Sequence, residues 1–177
     1  MKLIVLDRDG VINQDSAAFI KTPDEWRPIA GSLNAIARLN QAGFHVIVAT
    51  NQSGIGRGFL DMAALNAIHD KMHKALAQAG ARVDAIFFCP HAADDHCHCR
   101  KPKTGMFEDI ASRLNTNLAG VPIVGDSIRD IEAATAVSAA PLLVLTGNGK
   151  KTLRAGALPP DMRVFADLAA AVDAIAN

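Results

Sequence analysis

Four short stretches of this 177-residue chain gather groups that can handle a phosphoryl oxygen. They are Asp7-Arg8-Asp9-Gly10, Thr50-Asn51-Gln52-Ser53-Gly54, Arg100-Lys101-Pro102-Lys103 and Gly125-Asp126-Ser127, with Asp130 close behind. Each alone has an ordinary explanation. Asp-x-Asp-Gly suits a loop turn, and Gly125-Asp126-Ser127 suits a helix cap. Together they can do more. Carboxylates crowded in one place repel one another unless a hard divalent cation such as Mg²⁺ sits among them. One carboxylate can then attack phosphorus. A second, two residues on and on the same side of an extended chain, can protonate the leaving oxygen and later activate water. A hydroxyl and an ammonium would clamp the equatorial oxygens.

A second constellation lies beside the basic stretch. All three cysteines and three of the six histidines fall between Cys89 and Cys99. Cys89-x-His91 and Cys97-x-Cys99 are two i, i+2 pairs, and four N/S ligands suit a closed, structural, tetrahedral Zn²⁺ site. A Cys97–Cys99 disulfide would close a very tight ring. Strand-like alternation points His98 away from Cys97 and Cys99, which favours Cys99 as the fourth ligand. The residue types thus predict a zinc loop over residues 89–104 that fixes Arg100 and Lys101 in place.

These groups need elements to bring them together. Apolar runs at residues 3–6, 44–50, 83–88, 121–124, 141–145 and 163–165 read as buried strands. Helical periodicity marks residues 32–41, 106–114, 128–136 and 167–175, and a longer helix opens at an Asp61 cap and ends near Gly80. Strand–helix alternation predicts an α/β fold, a Rossmann-like three-layer sandwich around a central parallel sheet. Ligands of such sheets bind beyond the carboxyl ends of the strands, where the four stretches fall. No repeat or linker divides the chain, so residues 1–177 read as a single domain.

Asp7-Arg8-Asp9-Gly10-Val11, Thr50-Asn51, Lys101 and Gly125-Asp126-Ser127-Ile128-Arg129-Asp130 resemble, in order, the four motifs of the haloacid dehalogenase (HAD) superfamily. Asp9 marks its phosphatases. The resemblance implies Asp7 as nucleophile, Asp9 as general acid/base, and Thr50 and Lys101 as phosphoryl stabilisers. It further implies Mg²⁺ on Asp7, Asp126 and the Asp9 backbone carbonyl, with Asp130 nearby. Only 42 residues separate Asp7 from Thr50, so the cap is minimal, a flap over about residues 12–28. Cys-Pro-His…Cys-x-Cys-Arg-Lys-Pro is similar to the zinc-bearing branch that dephosphorylates heptose 1,7-bisphosphate at position 7 or histidinol phosphate. The Thr50–Gly58 run looks like the heptose enzymes, and the short His91–Cys97 spacer looks like the histidinol branch. By resemblance, Asp15, Ser16, Ala17, Ala18, Asn51, Gln52, Ser53, Arg100 and Ser127 line the substrate pocket. The heptose reading implies a place in ADP-heptose synthesis for lipopolysaccharide core.

Composition excludes other classes. The 18 basic and 18 acidic residues cancel, which gives no bulk attraction to nucleic acid or an anionic membrane. No apolar run reaches the length of a membrane span. The chain is expected to be a cytoplasmic monomer acting on a small phosphorylated sugar, with its thiols reduced. A non-catalytic, zinc-stabilised binding module would require Asp7, Asp9 or Lys101 to be missing, and all are present. His69 and His73 are i, i+4 on one helix and read as solvated. Gly147-x-Gly149-Lys150-Lys151 lacks P-loop spacing and reads as a loop beside the site.

Overall fold

A computed structural model describes residues 1–176. Six strands form one sheet: β1 (Lys2–Leu6), β2 (Phe44–Asn51), β3 (Ala85–Cys89), β4 (Pro122–Gly125), β5 (Ala140–Val144) and β6 (Arg163–Phe165), in the order β3-β2-β1-β4-β5-β6. Every pairing is parallel. The helices are α1 (Ser32–Gln41), α2 (Ser53–Gly56), α3 (Met62–Gln78), α4 (Gly105–Arg113), α5 (Ile128–Ala136), α6 (Gly149–Ala155) and α7 (Leu168–Ile175).

Alternation along the strands divides the core into two layers. Ile4, Leu6, Val46, Val48 and Val124 face one way, onto Ile36 and Leu39 of α1, Leu65, Ile68 and Met72 of α3, and Leu168 and Val172 of α7. Leu3, Val5, Ile47, Ala49 and Ile123 face the other, onto Met106, Phe107 and Ile110 of α4 and Ala133 and Ala134 of α5. Central strands with both faces covered must be apolar throughout, which is why they read as unbroken runs. Asp61 caps α3, accepting from the Ala64 N–H at 2.8 Å, and Asp167 caps α7, accepting from Ala170 at 2.9 Å. Leu65, Ile68, Met72 and Leu76 are fully buried, each worth roughly 1.5–3 kcal/mol against exposure.

The register aligns the strand ends. Leu6 pairs with Val48 and with Val124, and Asn51 pairs with Cys89. Asp7, Thr50, Asp126 and the start of the cysteine loop therefore emerge at one edge. Two expectations are corrected. Residues 149–155 form α6 rather than continuing a loop, the Asn148 carbonyl accepting the Thr152 N–H at 2.9 Å to open the helix. His69 is buried, not solvated, because it continues the apolar stripe of α3. His73 is exposed as expected.

Candidate active site

A cavity of 310 Å³ opens at that edge, with Asp7, Asp9, Thr50, Lys101, Asp126 and Asp130 among its lining. Lys101 is almost wholly buried. Its Nζ contacts Asp130 Oδ1 at 2.7 Å and Asp7 Oδ1 at 3.1 Å, and donates to the Ala49 carbonyl at 2.7 Å. Burial works against its charge, but Asp130 and Asp7 outweigh burial and raise its pKa above the ordinary lysine value. Asp7 is pushed well up, first by burial and then by Asp130, Asp126 and Asp9, with Lys101 opposing. Asp126 is raised to about 7, chiefly by burial and by Asp130. Asp9 differs. Burial would raise it, but the Arg8 guanidinium and hydrogen bonds from Arg8, Asn13 and Gln52 outweigh burial and hold it below the ordinary carboxylate value.

Carboxylate oxygens of Asp7, Asp126 and Asp130 lie within 4.8 Å of one another. Lys101 already neutralises Asp130, so Asp7 and Asp126 are left facing each other with more negative charge than protein cations balance. Hard oxygen donors and that imbalance fit a hard divalent cation. The backbone is built around Asp126. A Cβ on Gly10 would stand 2.1 Å from Asp126 Oδ2, and one on Gly147 would stand 2.2 Å from it. Gly10 has φ +83° and Gly147 φ +56°, so glycine is needed at both for space and for conformation. The Asn148 N–H donates to Asp126 Oδ2 at 2.7 Å, and Thr152 Oγ1 donates to the Asp126 carbonyl at 2.7 Å.

The remaining expected residues fall mostly around the same cavity. Asp15, Ser16, Ala17, Asn51, Gln52, Ser53, Arg100 and Ser127 line it, and Ala18 does not. Thr50 Oγ1 accepts from Gln52 Nε2 at 2.9 Å. The Asn51 side chain is spent on the Lys101 backbone, accepting its N–H at 3.1 Å and donating to its carbonyl at 3.0 Å. Ser127 donates to Asp130 Oδ2 at 2.8 Å. Five lining residues were not anticipated: Phe19, Ile20, Arg57, Arg129 and Asn148. Arg57 and Arg129 lie inside stretches singled out in the sequence, Thr50–Gly58 and Gly125–Asp130, but the sequence alone assigns them no role there. Asn148 Nδ2 joins the segment that carries Asp15 to the acidic cluster, donating to Asp15 Oδ2 at 2.7 Å and Asp126 Oδ2 at 3.3 Å. Residues 23–26 are held by buried Trp26 and by Lys71 Nζ, which donates to the Pro23 and Trp26 carbonyls at 2.6 and 2.9 Å.

Cys89, His91, Cys97 and Cys99 converge as a second candidate metal group. Cys89 Sγ lies 3.7 Å from Cys97 Sγ and 3.1 Å from Cys99 Sγ, and His91 Nδ1 lies 3.5 Å from Cys89 Sγ and 3.3 Å from Cys99 Sγ. A tetrahedron with ~2.3 Å Zn–S bonds has edges of about 3.7 Å, so the four donors are spaced for a closed site. His98 is directed elsewhere. It packs against Gly105, whose N–H its carbonyl accepts at 3.1 Å. The loop is also tied down where Gly56 donates to the Pro90 carbonyl at 2.8 Å.

A parallel sheet with Asp7 and Asp9 after β1, Thr50 at the end of β2, a buried lysine and an acidic motif after β4 defines a HAD-like hydrolase. The HAD-hydrolase-like family model matches residues 98–171. A Bordetella bronchiseptica D-glycero-β-D-manno-heptose-1,7-bisphosphate 7-phosphatase is 64% identical over 173 residues, 98% of this chain and 97% of that protein. A Pseudomonas aeruginosa protein of the same name is 53% identical over 173 residues, 98% of this chain and 97% of that protein. The crystal structure of a D,D-heptose 1,7-bisphosphate phosphatase from B. bronchiseptica, complexed with magnesium and phosphate, superposes with a TM-score of 0.97 at 63% identity, covering 99% of this chain and 98% of its own. The chain belongs to the family of D-glycero-β-D-manno-heptose-1,7-bisphosphate 7-phosphatases.

Proposed function

We propose that this chain removes the 7-phosphate of D-glycero-D-manno-heptose 1,7-bisphosphate, leaving heptose 1-phosphate and inorganic phosphate. The observation that carries the substrate choice is a trio of guanidiniums. Arg57, Arg100 and Arg129 line the cavity beside Asp7. None has a carboxylate partner among the described residues, and Arg100 Nη1 is buried without a hydrogen bond. Burial, Arg129 and Arg57 hold the Arg100 pKa below its ordinary value, with the nearby cysteines opposing. Cations crowded without counter-ions suit an anion, here a second phosphate. Histidinol phosphate brings an amine in place of a second anion, and the same trio would repel it. Full-length likeness to the heptose family supports the same choice despite the short His91–Cys97 spacer.

Asp7 attacks phosphorus, the bond from phosphorus to the C7 oxygen breaks, and Asp9 gives that oxygen a proton. Arg8 holds the free Asp9 carboxyl low, so Asp9 takes up this proton as the negatively charged substrate binds beside it. Asp9 then takes a proton from water as the water oxygen attacks the aspartyl phosphate, which frees phosphate and restores the Asp7 carboxylate. Lys101 and Thr50 hold the equatorial oxygens. Asp7, Asp126 and the Asp9 carbonyl would hold Mg²⁺, which offsets charge on the nucleophile and phosphoryl group. Zn²⁺ on Cys89, His91, Cys97 and Cys99 would fix the loop of residues 89–104 and so aim Arg100. Asp15, Ser16 and Ala17 of the flap, over about residues 12–28, would meet the sugar, as would Gln52, Ser53 and Ser127. The whole chain would act as one cytoplasmic, monomeric domain in heptose activation for lipopolysaccharide. Phosphate release from heptose 1,7-bisphosphate, fructose 1,6-bisphosphate and histidinol phosphate tests the substrate. The heptose should lead by at least ~10-fold in kcat/KM, about what one well-placed ionic contact discriminates. A lead for histidinol phosphate would overturn the assignment.

A further inference from the structure

Arg8 stands between the proposed nucleophile and the proposed acid, and no step above uses it. Its side chain is completely buried. A buried guanidinium is tolerated where its charge is paired and its other donors find acceptors. Nε donates to Asp9 Oδ1 at 2.9 Å, and Nη2, which makes no hydrogen bond among the described residues, lies 2.8 Å from the same oxygen as an ion-pair contact. Nη1 is 3.1 Å from His69 Nε2. Arginine has no acceptor, so His69 must accept at Nε2 and carry its proton on Nδ1. Burial first, then Arg8 and His73, hold its pKa down at about 4, with Asp9 opposing weakly. The ring is therefore neutral, and its lone pair is available to Arg8 at working pH.

The consequence reaches Asp9. Its Oδ1 takes Arg8 and also Asn13 Nδ2, at 3.0 Å. Among the described residues its Oδ2 has only a long contact, from Gln52 Nε2 at 3.3 Å. One oxygen is saturated by protein donors, and the other is left for the proton that goes to the leaving group. We propose that His69 is a positioning residue for the phosphoryl-transfer acid: by holding Arg8, it fixes the Asp9 carboxylate with Oδ2 presented to the substrate. This rests on Asp9 being the general acid.

The test is the dependence on leaving group. Phenyl phosphate and p-nitrophenyl phosphate have nearly the same shape, but the second departs readily without a proton. His69→Leu should lose about 10-fold in kcat/KM on phenyl phosphate and on the heptose bisphosphate, and under ~3-fold on p-nitrophenyl phosphate, a tenth being the scale of a misaligned proton transfer. His69→Gln, which can still accept from Arg8, should recover phenyl phosphate hydrolysis to within ~3-fold of wild type. Comparing two substrates on one preparation cancels any unfolded fraction. His69→Asn, too short to reach Arg8, takes the place of the leucine variant if that does not fold. Equal losses on the two aryl phosphates, no loss on either, or a glutamine variant no better than leucine would overturn the proposal. Asp9→Asn is run beside them. If its loss does not depend on the leaving group, Asp9 is not the acid and the parent mechanism fails. If it does and that of His69→Leu does not, only the role of His69 falls.

Discussion

Replacing His69 by glutamine should change how stability depends on pH, because the native ring resists protonation. In the unfolded chain His69 takes up a proton near 6.5; in the native state it does so only near 4. Between these values the unfolded state binds more protons, so stability rises with pH. The contribution is whole above about pH 6.5 and is lost as the pH falls from there toward 4. At ~1.36 kcal/mol per pH unit, wild type should lose roughly 2 kcal/mol from this group between pH 8 and pH 5, approaching about 3 kcal/mol at pH 4. His69→Gln has nothing to titrate there. It will be less or more stable by a constant, and its curve should be flatter by that amount. Urea unfolding at pH 8, 7, 6 and 5, followed by circular dichroism, gives both curves. Parallel curves would mean that His69 titrates normally in the native state, which would refute its burial against Arg8 as the cause.

Asp7→Asn preserves shape and removes the attacking charge. It should lower turnover by at least ~10³ with little change in fold, measured by phosphate release and thermal melting. Cys99→Ser should release zinc, as read by metal analysis, and should lose activity at temperatures where circular dichroism still shows a folded protein. Because Asn51 independently holds the Lys101 backbone, the loss should be ~10-fold rather than complete, and larger for the bisphosphate than for p-nitrophenyl phosphate. Arg100→Ala should raise KM for the bisphosphate by about 10-fold and leave p-nitrophenyl phosphate within ~3-fold; equal losses would show that Arg100 serves the transferring phosphoryl group instead.

Much of the site was legible because a doubly covered parallel sheet writes its strands as apolar runs and sets its chemistry at their carboxyl ends. Asp7, Thr50 and Asp126 follow such runs directly, and the cysteine–histidine spacing marked its own cluster. Other residues had no pattern to show. Arg57 and Arg129 lie within motif stretches, but only folding brings them beside Arg100 and so shows a shared role. Asn148 acts through a backbone N–H, which every residue but proline has, and through a single side-chain amide that belongs to no motif. The signal for His69 was present. It lies four residues after Leu65, three before Met72 and seven before Leu76, on the buried stripe of α3, and the pairing with exposed His73 obscured it.

The central claim is that this site takes a phosphoryl group from position 7 and spares position 1. Heptose 1,7-bisphosphate turned over with Mg²⁺ and followed by ³¹P NMR tests it most directly. The expected result is loss of the 7-phosphate resonance, growth of inorganic phosphate in equal amount, and a persistent 1-phosphate resonance. Loss of the 1-phosphate first, or of both together, would contradict the account.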